Sequence, residues 1–426
     1  MKKLNIRIER EGNLIPIGTI TGNNSSDACF QYLPEYRSGS NPVPLSVSLP
    51  LRSEAFTAAQ TACFFEGLLP EGFTRRSVAQ WMNVTEGDYL SILHGLGREC
   101  LGALCVTEDE EDPDASYEII SAQQVRDLAS EGATKSTELV LKSHLSLTGA
   151  SGKVGLYYSE NENAWYLPKG LAPSTHIVKQ SHIRLDGIVT NEKLALMTAA
   201  RCGIMIPYSF IINTGSGEEN EVLFATRRYD RVISSAGEVI SGLPRPLRLH
   251  QEDFAQAMGI PAAEKYERNE AGYMRGMFDI LRQYSADPIA DQLKLWDIIV
   301  FNYLIGNTDA HIKNFSLLYS KNLRSIRLAP AYDIVSTAVY EQSTRDMAFS
   351  IGGVYSLEDI DADAFQRAAK EIGMSNRIAI QRFELLCRQF PIALELSAEA
   401  LASEGYPKAN EIKERILKAG GIKNQI

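Results

Sequence analysis

The chain has 426 residues, enough for two or three domains with a sizeable core. Hydrophobic residues at 44% and charged residues at 23% match an ordinary globular protein, and a formal net charge of -10 excludes broad direct binding of nucleic acid, which needs a basic surface. The six cysteines are scattered without a Cys-x-x-Cys pair, which argues against a zinc site or a disulfide framework and for reduced thiols.

No signal-peptide run follows Met1-Lys2-Lys3-Leu4 and no apolar stretch is long enough to span a bilayer, so the expected compartment is the cytoplasm. Leu4-Asn5-Ile6-Arg7-Ile8 alternates apolar and polar residues, Gly12-Asn13 turns, and Leu14 to Ile20 returns, which predicts a half-buried hairpin. A helix is predicted through Arg75 to Trp81, and an apolar run follows at Leu101 to Val106. The acidic stretch Glu108-Asp109-Glu110-Glu111-Asp112-Pro113-Asp114 reads as a solvated linker. It divides the chain into units of 1–115, 116–230 and 231–426, the first without an evident catalytic cluster.

From residue 143, Ser143-His144-Leu145-Ser146-Leu147-Thr148-Gly149-Ala150-Ser151-Gly152-Lys153 is a small-residue loop leading into the strand Val154 to Tyr158. Small residues let backbone N–H groups approach a phosphate, although Leu147 and Val154 break the Walker A pattern. Two strands follow, Asn163 to Pro168 and Thr175 to Lys179. Loop, strand, strand and lysine come in the order of a kinase-type nucleotide-binding lobe. Asn191 to Arg201 reads as a helix ending at Gly203. Glu192 in its first turn is either the partner of Lys179 or an acid favoured by the helix dipole. Tyr208 to Ile212 and Val222 to Thr226 make another hairpin, and Arg227-Arg228-Tyr229-Asp230-Arg231 leaves it where a connection between lobes would lie. Leu249 to Gly259 opens a mainly helical region, and the tail from residue 357 is also helical.

Trp296 to Leu304 is apolar on nearly every face, a buried helix that Gly306 would end in a left-handed cap. Beyond it, Asp309 and Asn314 stand in the spacing Asp-x-x-x-x-Asn. In phosphoryl transfer such an Asp accepts the proton of the attacking hydroxyl and the Asn holds magnesium. Phe315 to Tyr319 reads as a strand that turns at Lys321 to Arg324 and returns through Ser325 to Ala329. That hairpin would bring Asn314 beside Pro330-Ala331-Tyr332-Asp333 and supply Asp333 as the second oxygen ligand. His311 either orients the loop or contacts nucleotide, and Lys313 faces phosphate oxygens or contacts Asp309. Histidines without paired ligand spacing argue against a metallohydrolase, and the lack of a Gly-x-Ser-x-Gly elbow argues against a serine hydrolase.

With these motifs, the chain resembles the HipA-type serine/threonine kinases, the toxins of bacterial type II toxin–antitoxin pairs. The resemblance runs from near residue 1 to the C-terminal helices. It includes Pro44-Leu45-Ser46-Val47-Ser48-Leu49-Pro50-Leu51, Phe64-Phe65 with Leu68-Leu69-Pro70, and Gly97-Arg98 with Gly102-Ala103. It continues with Pro168-Lys169-Gly170 before Thr175-His176-Ile177-Val178-Lys179, then Arg228-Tyr229-Asp230-Arg231 and Gln251-Glu252-Asp253. Gly306-Asn307-Thr308-Asp309-Ala310-His311, Asn314-Phe315-Ser316 and Tyr332-Asp333-Ile334 complete it.

The resemblance implies an α+β, two-lobed protein-kinase-like fold with an N-terminal α/β subdomain and a mainly helical C-terminal lobe. It implies Asp309 as catalytic acceptor, Asn314 and Asp333 as Mg²⁺ ligands, and Lys179 on the α/β-phosphates of ATP. Thr148, Gly149, Ala150, Ser151, Gly152 and Lys153 would form the phosphate loop, Arg227 and Tyr229 the adenine-side hinge, and His311, Lys313 and Tyr332 further ATP contacts. Ser146 takes the place of a self-phosphorylated serine, whose dianion would repel nucleotide phosphates and switch the enzyme off. The implied partners are a HipB-like helix-turn-helix antitoxin, operator DNA reached mainly through it, and an aminoacyl-tRNA synthetase, commonly the glutamyl enzyme, as substrate. No membrane partner is implied. Two positions depart from the family pattern: Ser151-Gly152 stands where the loop often reads Gln-Glu, and Arg227 where the hinge often has Glu. The rival reading is a catalytically weak component that uses the same fold to hold antitoxin and DNA, and ATP turnover separates the two. A small-molecule phosphotransferase is a third, against which Ser146 and the N-terminal subdomain count.

Overall fold

The computed structural model describes residues 2–108, 114–143, 152–181, 185–234 and 237–425. Ser146, Thr148, Gly149, Ala150 and Ser151, predicted above as modification site and phosphate loop, lie outside the described residues. The N-terminal hairpin forms as expected from β1 (Lys2–Arg10) and β2 (Asn13–Gly22). Arg10 pairs with Asn13 across a two-residue turn, Glu11-Gly12, in which both residues have positive φ, the turn that matches the twist of the flanking strands. With β3 (Cys29–Tyr32) and β4 (Leu104–Thr107) they make a four-stranded sheet of order β3-β2-β1-β4. Helices α1 (Pro34–Arg37), α2 (Ala58–Phe65), α3 (Gly72–Trp81) and α4 (Tyr89–Leu96) complete this unit.

The next unit is a six-stranded antiparallel sheet of order β5-β7-β6-β8-β10-β9. Its strands are β5 (Ser116–Ile120), β6 (Lys153–Ser159), β7 (Ala164–Lys169), β8 (His176–Gln180), β9 (Ser209–Asn213) and β10 (Val222–Arg227), with helices α5 (Ala122–Ser130), α6 (Ala133–Ser143) and α7 (Ile188–Arg201). The register sets Lys153 opposite Lys179 and Phe224 opposite Lys179. Directly opposed residues share a sheet face, so these three side chains lie together on one side. The alternating positions Val154, Val178, Leu223 and Ala225 bury the other side in a separate core with Leu156, Trp165 and Leu167.

Two short ribbons, β11 (Arg231–Val232) with β14 (Leu247–Arg248) and β12 (Val239–Ile240) with β13 (Leu243–Pro244), follow β10. The remainder is built from β15 (Gln251–Asp253), α8 (Phe254–Met258), α9 (Tyr273–Tyr284), α10 (Pro288–Ile305), β16 (Ser316–Tyr319) and β17 (Ile326–Leu328). A hairpin of β18 (Asp346–Ile351) and β19 (Val354–Ser356) precedes α11 (Ala362–Glu371), α12 (Asn376–Ser403) and α13 (Lys408–Ala419). α10 is the predicted buried helix, with Trp296, Val300, Phe301, Tyr303 and Leu304 fully enclosed. One continuous core joins Leu4, Ile6 and Ile8 of the N-terminal sheet to α10 and on to Ile416 and Ile422. Among the described residues, no helix is long and apolar enough to cross a membrane.

Two elements differ from expectation. Gln251–Asp253 is a strand paired with β16, not part of the helical region; three buried residues are too few to display a period. α7 begins at Ile188, so Glu192 is its fifth residue and not a first-turn acid. Val189 and Thr190 depress local helix propensity, but both are buried, and that packing overrides the propensity.

Candidate active site

The two lobes face one another across a cleft of about 1200 Å³, and the catalytic-loop candidates sit at its helical wall. α10 ends at Gly306 with φ 73°. A Cβ there would stand 2.8 Å from the Ala338 Cβ and 3.0 Å from the Gly420 Cα, so both handedness and space require glycine. The loop beyond is held by its own polar groups. Asn307 Nδ2 donates to Asn302 Oδ1 at 2.8 Å, and the Thr308 N–H donates to Thr337 Oγ1 at 2.7 Å. Asn307 Oδ1 accepts from the Asp309 N–H at 3.3 Å, and Asn314 Nδ2 donates to the Asp309 carbonyl at 3.0 Å. The Asp309 backbone is thereby fixed before any substrate arrives, which contributes to the preorganisation of the loop.

Lys313 is buried inside this loop, and its ammonium is committed elsewhere than to Asp309. It donates to Asp253 Oδ2 at 2.9 Å and to the Gly67 carbonyl at 3.0 Å, tying the loop to β15 and to the N-terminal unit. Tyr332 donates its hydroxyl to the Lys313 carbonyl at 2.9 Å, and its ring lies 5.5 Å from that of Tyr229. Tyr229 in turn donates to Gln251 Oε1. Arg227 ends β10 with an exposed side chain, its N–H bonded to the Tyr208 carbonyl at 2.8 Å.

The sheet wall meets the helical wall at Lys179. Its Nζ lies 2.6 Å from Glu192 Oε1 and 2.5 Å from Asp333 Oδ1. Burial alone would depress the ammonium pKa, but the charges of Asp333 and Glu192 outweigh it and raise it. Asp333 shows the complement: burial pushes its carboxyl up, yet Lys179 and then Lys153 hold it well below the usual carboxylate range. Lys153 itself is pushed down, first by burial; the charge of Asp333 acts against this and the like charge of Lys179 adds to it. Asp333 has φ 56°, a left-handed conformation that costs a non-glycine residue about 1–3 kcal/mol, so backbone strain is spent at the residue that reaches Lys179.

Asp309 has its pKa raised by burial and by the charge of Asp333, against the hydroxyl of Tyr266, which donates to its Oδ1. His311 is pushed down to about 3 by burial and by Lys265, so the ring is neutral, and its buried Nδ1 has no hydrogen-bond partner among the described residues. Of the predicted site residues, Gly152, Lys153, Lys179, Arg227, Tyr229, Asp309, His311, Lys313, Asn314, Tyr332 and Asp333 all line the one cleft, as does Glu192. The sequence reading missed Glu71, Asp253, Lys265 and Tyr266. Lys265 Nζ lies 2.5 Å from Glu71 Oε2, a contact between residues far apart in the chain that carries no local signal. Asp253 belongs to a motif already singled out, but nothing in its neighbourhood names Lys313 as its partner.

Lys179→Met is expected to leave Glu192 and Asp333 as uncompensated neighbours and to lower phosphate transfer by at least about a hundredfold, the scale of losing one preorganised charge. Incorporation of ³²P, with far-UV circular dichroism to confirm folding, checks it; undiminished incorporation removes Lys179 from the site.

A sheet-built lobe that presents a lysine–glutamate pair, opposite a lobe that presents Asp309, Asn314 and Asp333, is the layout of a protein kinase. Comparison with known proteins agrees. Residues 145–394 match the HipA-like C-terminal domain and residues 12–107 match the HipA N-terminal domain. The chain is 33% identical over 395 residues to the Sinorhizobium fredii protein named "Putative kinase Y4mE", covering 91% of this chain and 89% of that one. It is 27% identical over 364 residues to the Shewanella oneidensis "Serine/threonine-protein kinase toxin HipA", covering 82% and 80%. A chain of the solved complex of Shewanella oneidensis HipA, HipB and operator DNA has the same fold, with a TM-score of 0.78 at 22% identity over 98% of this chain and 97% of that one. The chain belongs to the HipA family and is a protein kinase.

Proposed function

We propose that this kinase transfers the γ-phosphoryl group of ATP, with Mg²⁺, to a serine or threonine of a protein, and that it acts as the toxin of a toxin–antitoxin pair. The observation that carries the reading is the Lys179 ammonium held between Glu192 of the sheet lobe and Asp333 of the helical lobe, in the cleft that Asp309 also lines. The acceptor hydroxyl binds at the Asp309 carboxylate. As its oxygen attacks the γ-phosphorus, the bond from that phosphorus to the β–γ bridging oxygen breaks and ADP leaves; the proton passes to Asp309. A carboxyl whose pKa is raised by burial is the stronger base for that transfer. Lys179 and Lys153 present positive charge to phosphate oxygens, and Glu192 keeps Lys179 oriented.

Asn314 and Asp333 offer the hard oxygen donors that suit Mg²⁺. Among the described residues, no group of three His, Cys, Asp or Glu side chains could form an all-protein cage, which fits an ion that keeps waters and takes substrate phosphates as ligands. Bound there, Mg²⁺ would supply charge neutralisation on the β- and γ-phosphates.

The remaining assignments rest on the family. Units 1–115, 116–230 and 231–426 are taken as N-terminal subdomain, nucleotide-binding lobe and helical lobe. The solved Shewanella oneidensis complex contains HipB and operator DNA beside HipA, which supports a HipB-like helix-turn-helix antitoxin as partner here. The net charge of -10 favours DNA contact mainly through that antitoxin. The substrate is taken to be an aminoacyl-tRNA synthetase such as the glutamyl enzyme, in the cytoplasm. Phosphoproteomics after brief expression should find a synthetase phosphoserine that is lost with Asp309→Asn, and finding no Asp309-dependent phosphoprotein overturns the reading. Incubation with Mg-ATP is expected to phosphorylate Ser146 as the off-switch; phosphopeptide mapping that finds only other sites would refute this.

A further inference from the structure

We propose that the Tyr266 hydroxyl occupies, on Asp309, the place of the acceptor hydroxyl, so that a protein substrate must displace it to be phosphorylated. The inference rests on the kinase reading above. Tyr266 donates its hydroxyl to Asp309 Oδ1, which is the hydrogen bond an attacking serine makes with its base. Burial and the charge of Asp309 raise the phenol pKa, so the group stays protonated and remains a donor.

Three features make this contact a gate and not a strut. First, Tyr266 is 40% exposed; its ring lies edge-on to His311 at 5.2 Å and 5.4 Å from the Lys265 ammonium. Second, the neighbouring residues on both sides are anchored. Lys265 is paired with Glu71 at 2.5 Å. The Glu267 carboxylate accepts from the N–H groups of Tyr273 at 2.8 Å and Ser350 at 2.7 Å, and its own N–H donates to the Ala348 carbonyl at 2.8 Å. The side chain can therefore rotate about its own bonds while the segment stays in place. Third, the ring stands between the nucleotide cleft and a second depression of about 450 Å³, and it lines both. Arg268, Asn269, Thr308, Asp346, Met347 and Tyr355 line that depression, and Thr308 adjoins the catalytic aspartate.

The depression is the route for the acceptor segment. A serine or threonine side chain is short, so its backbone must enter the depression for the hydroxyl to reach Asp309, and the Tyr266 ring must swing aside. Without an acceptor, the phenol blocks water from the same carboxylate and suppresses futile hydrolysis. No bond to Tyr266 is made or broken; one O–H donor replaces another on Asp309.

The test uses the full-length chain with Mg-ATP and dephosphorylated casein as the acceptor probe. Tyr266→Phe keeps the ring and removes the competing donor. Casein KM is expected to fall roughly fivefold, the scale of one hydrogen bond. Release of inorganic phosphate without acceptor should rise by a similar factor, with KM for ATP unmoved. Tyr266→Ala, which also opens the passage, should move both in the same direction and further. Unchanged casein KM and phosphate release in both variants overturns the gate. A fall in kcat at constant KM also overturns it, because Tyr266 would then position Asp309, and phosphotyrosine at residue 266 overturns it by making the residue an acceptor. Absence of ATP turnover in wild type and both variants defeats the kinase reading itself, whereas wild-type turnover indifferent to Tyr266 defeats only the gate.

Discussion

Asp309→Asn is expected to lower phosphate transfer roughly a thousandfold, within the ~10²–10⁴ range that a positioned general base contributes. Its stability should equal or slightly exceed that of wild type. Burial raises the Asp309 pKa in the folded chain above its ordinary value, with the charge of Asp333 adding to the effect. A group with a raised folded pKa favours the folded state at low pH, and that contribution is lost as pH rises through the folded pKa. At neutral pH the ionised carboxylate is therefore a cost that the amide removes. The amide oxygen can still accept from Tyr266, and the backbone contacts of Asp309 to Asn307 and Asn314 do not involve its side chain. Parallel ³²P incorporation and thermal unfolding check both halves. Incorporation equal to wild type would remove Asp309 from its role. A wild type that turns over no ATP would favour the rival, a component that only holds antitoxin and DNA.

The parts of this site that were legible in the sequence are those whose signal is local. Asp309 and Asn314 share one loop, Gly306 marks the end of one helix, and the β16–β17 hairpin brings Asp333 to the cleft by short-range pairing. Lys179 was legible because the small-residue loop, two strands and the lysine follow one another within one stretch of chain, in the order of a nucleotide-binding lobe. Contacts between distant segments were not legible. Lys313 reads as a phosphate ligand from its neighbours alone, but its ammonium meets the Gly67 carbonyl 246 positions away. Tyr266 lies in Glu264-Lys265-Tyr266-Glu267-Arg268, a charged stretch that resembles any solvated connection. Glu192 was ambiguous because the start of α7 was misplaced by three residues, and its pairing with Lys179 depends on that start. The N-terminal unit showed no catalytic cluster, yet Glu71, Phe73 and Arg76 from it form part of the cleft wall. Side chains contributed singly by a distant unit leave no pattern in its own sequence.

That unit is bonded to the lobes through buried charge, and Glu99→Gln is expected to destabilise the protein by about 3–5 kcal/mol, the usual cost of stranding one partner of a buried ion pair. Glu99 Oε1 accepts from Arg228 at 3.3 Å, Arg231 at 3.0 Å and the Ser174 N–H at 2.8 Å. Asp230 meets the same arginines, at 2.7 Å from Arg228 and 3.0 Å from Arg231, and accepts from the Gly102 N–H at 2.8 Å. Two arginines and two acids thus balance at the point where the chain leaves β10, and neutralising Glu99 leaves a buried positive charge in excess. Burial pushes the Glu99 carboxyl up, but Arg228 and Arg231 lower its pKa below the ordinary 4.5. A depressed folded pKa means that the stabilisation is present above the unfolded value and is lost as pH falls through the folded one. Denaturant unfolding should therefore show a large gap between wild type and Glu99→Gln at neutral pH that narrows below about 4.5. Adding Arg231→Met removes the stranded cation, so the double variant should recover part of the loss. A neutral effect of Glu99→Gln, or a double variant weaker than the sum of the singles, would show that packing and not charge joins the N-terminal unit to the lobes. If the charge joint holds, Glu99→Gln should also raise KM for ATP at temperatures well below unfolding, because the Arg228-to-Asp230 joint flanks Tyr229 and lines the cleft.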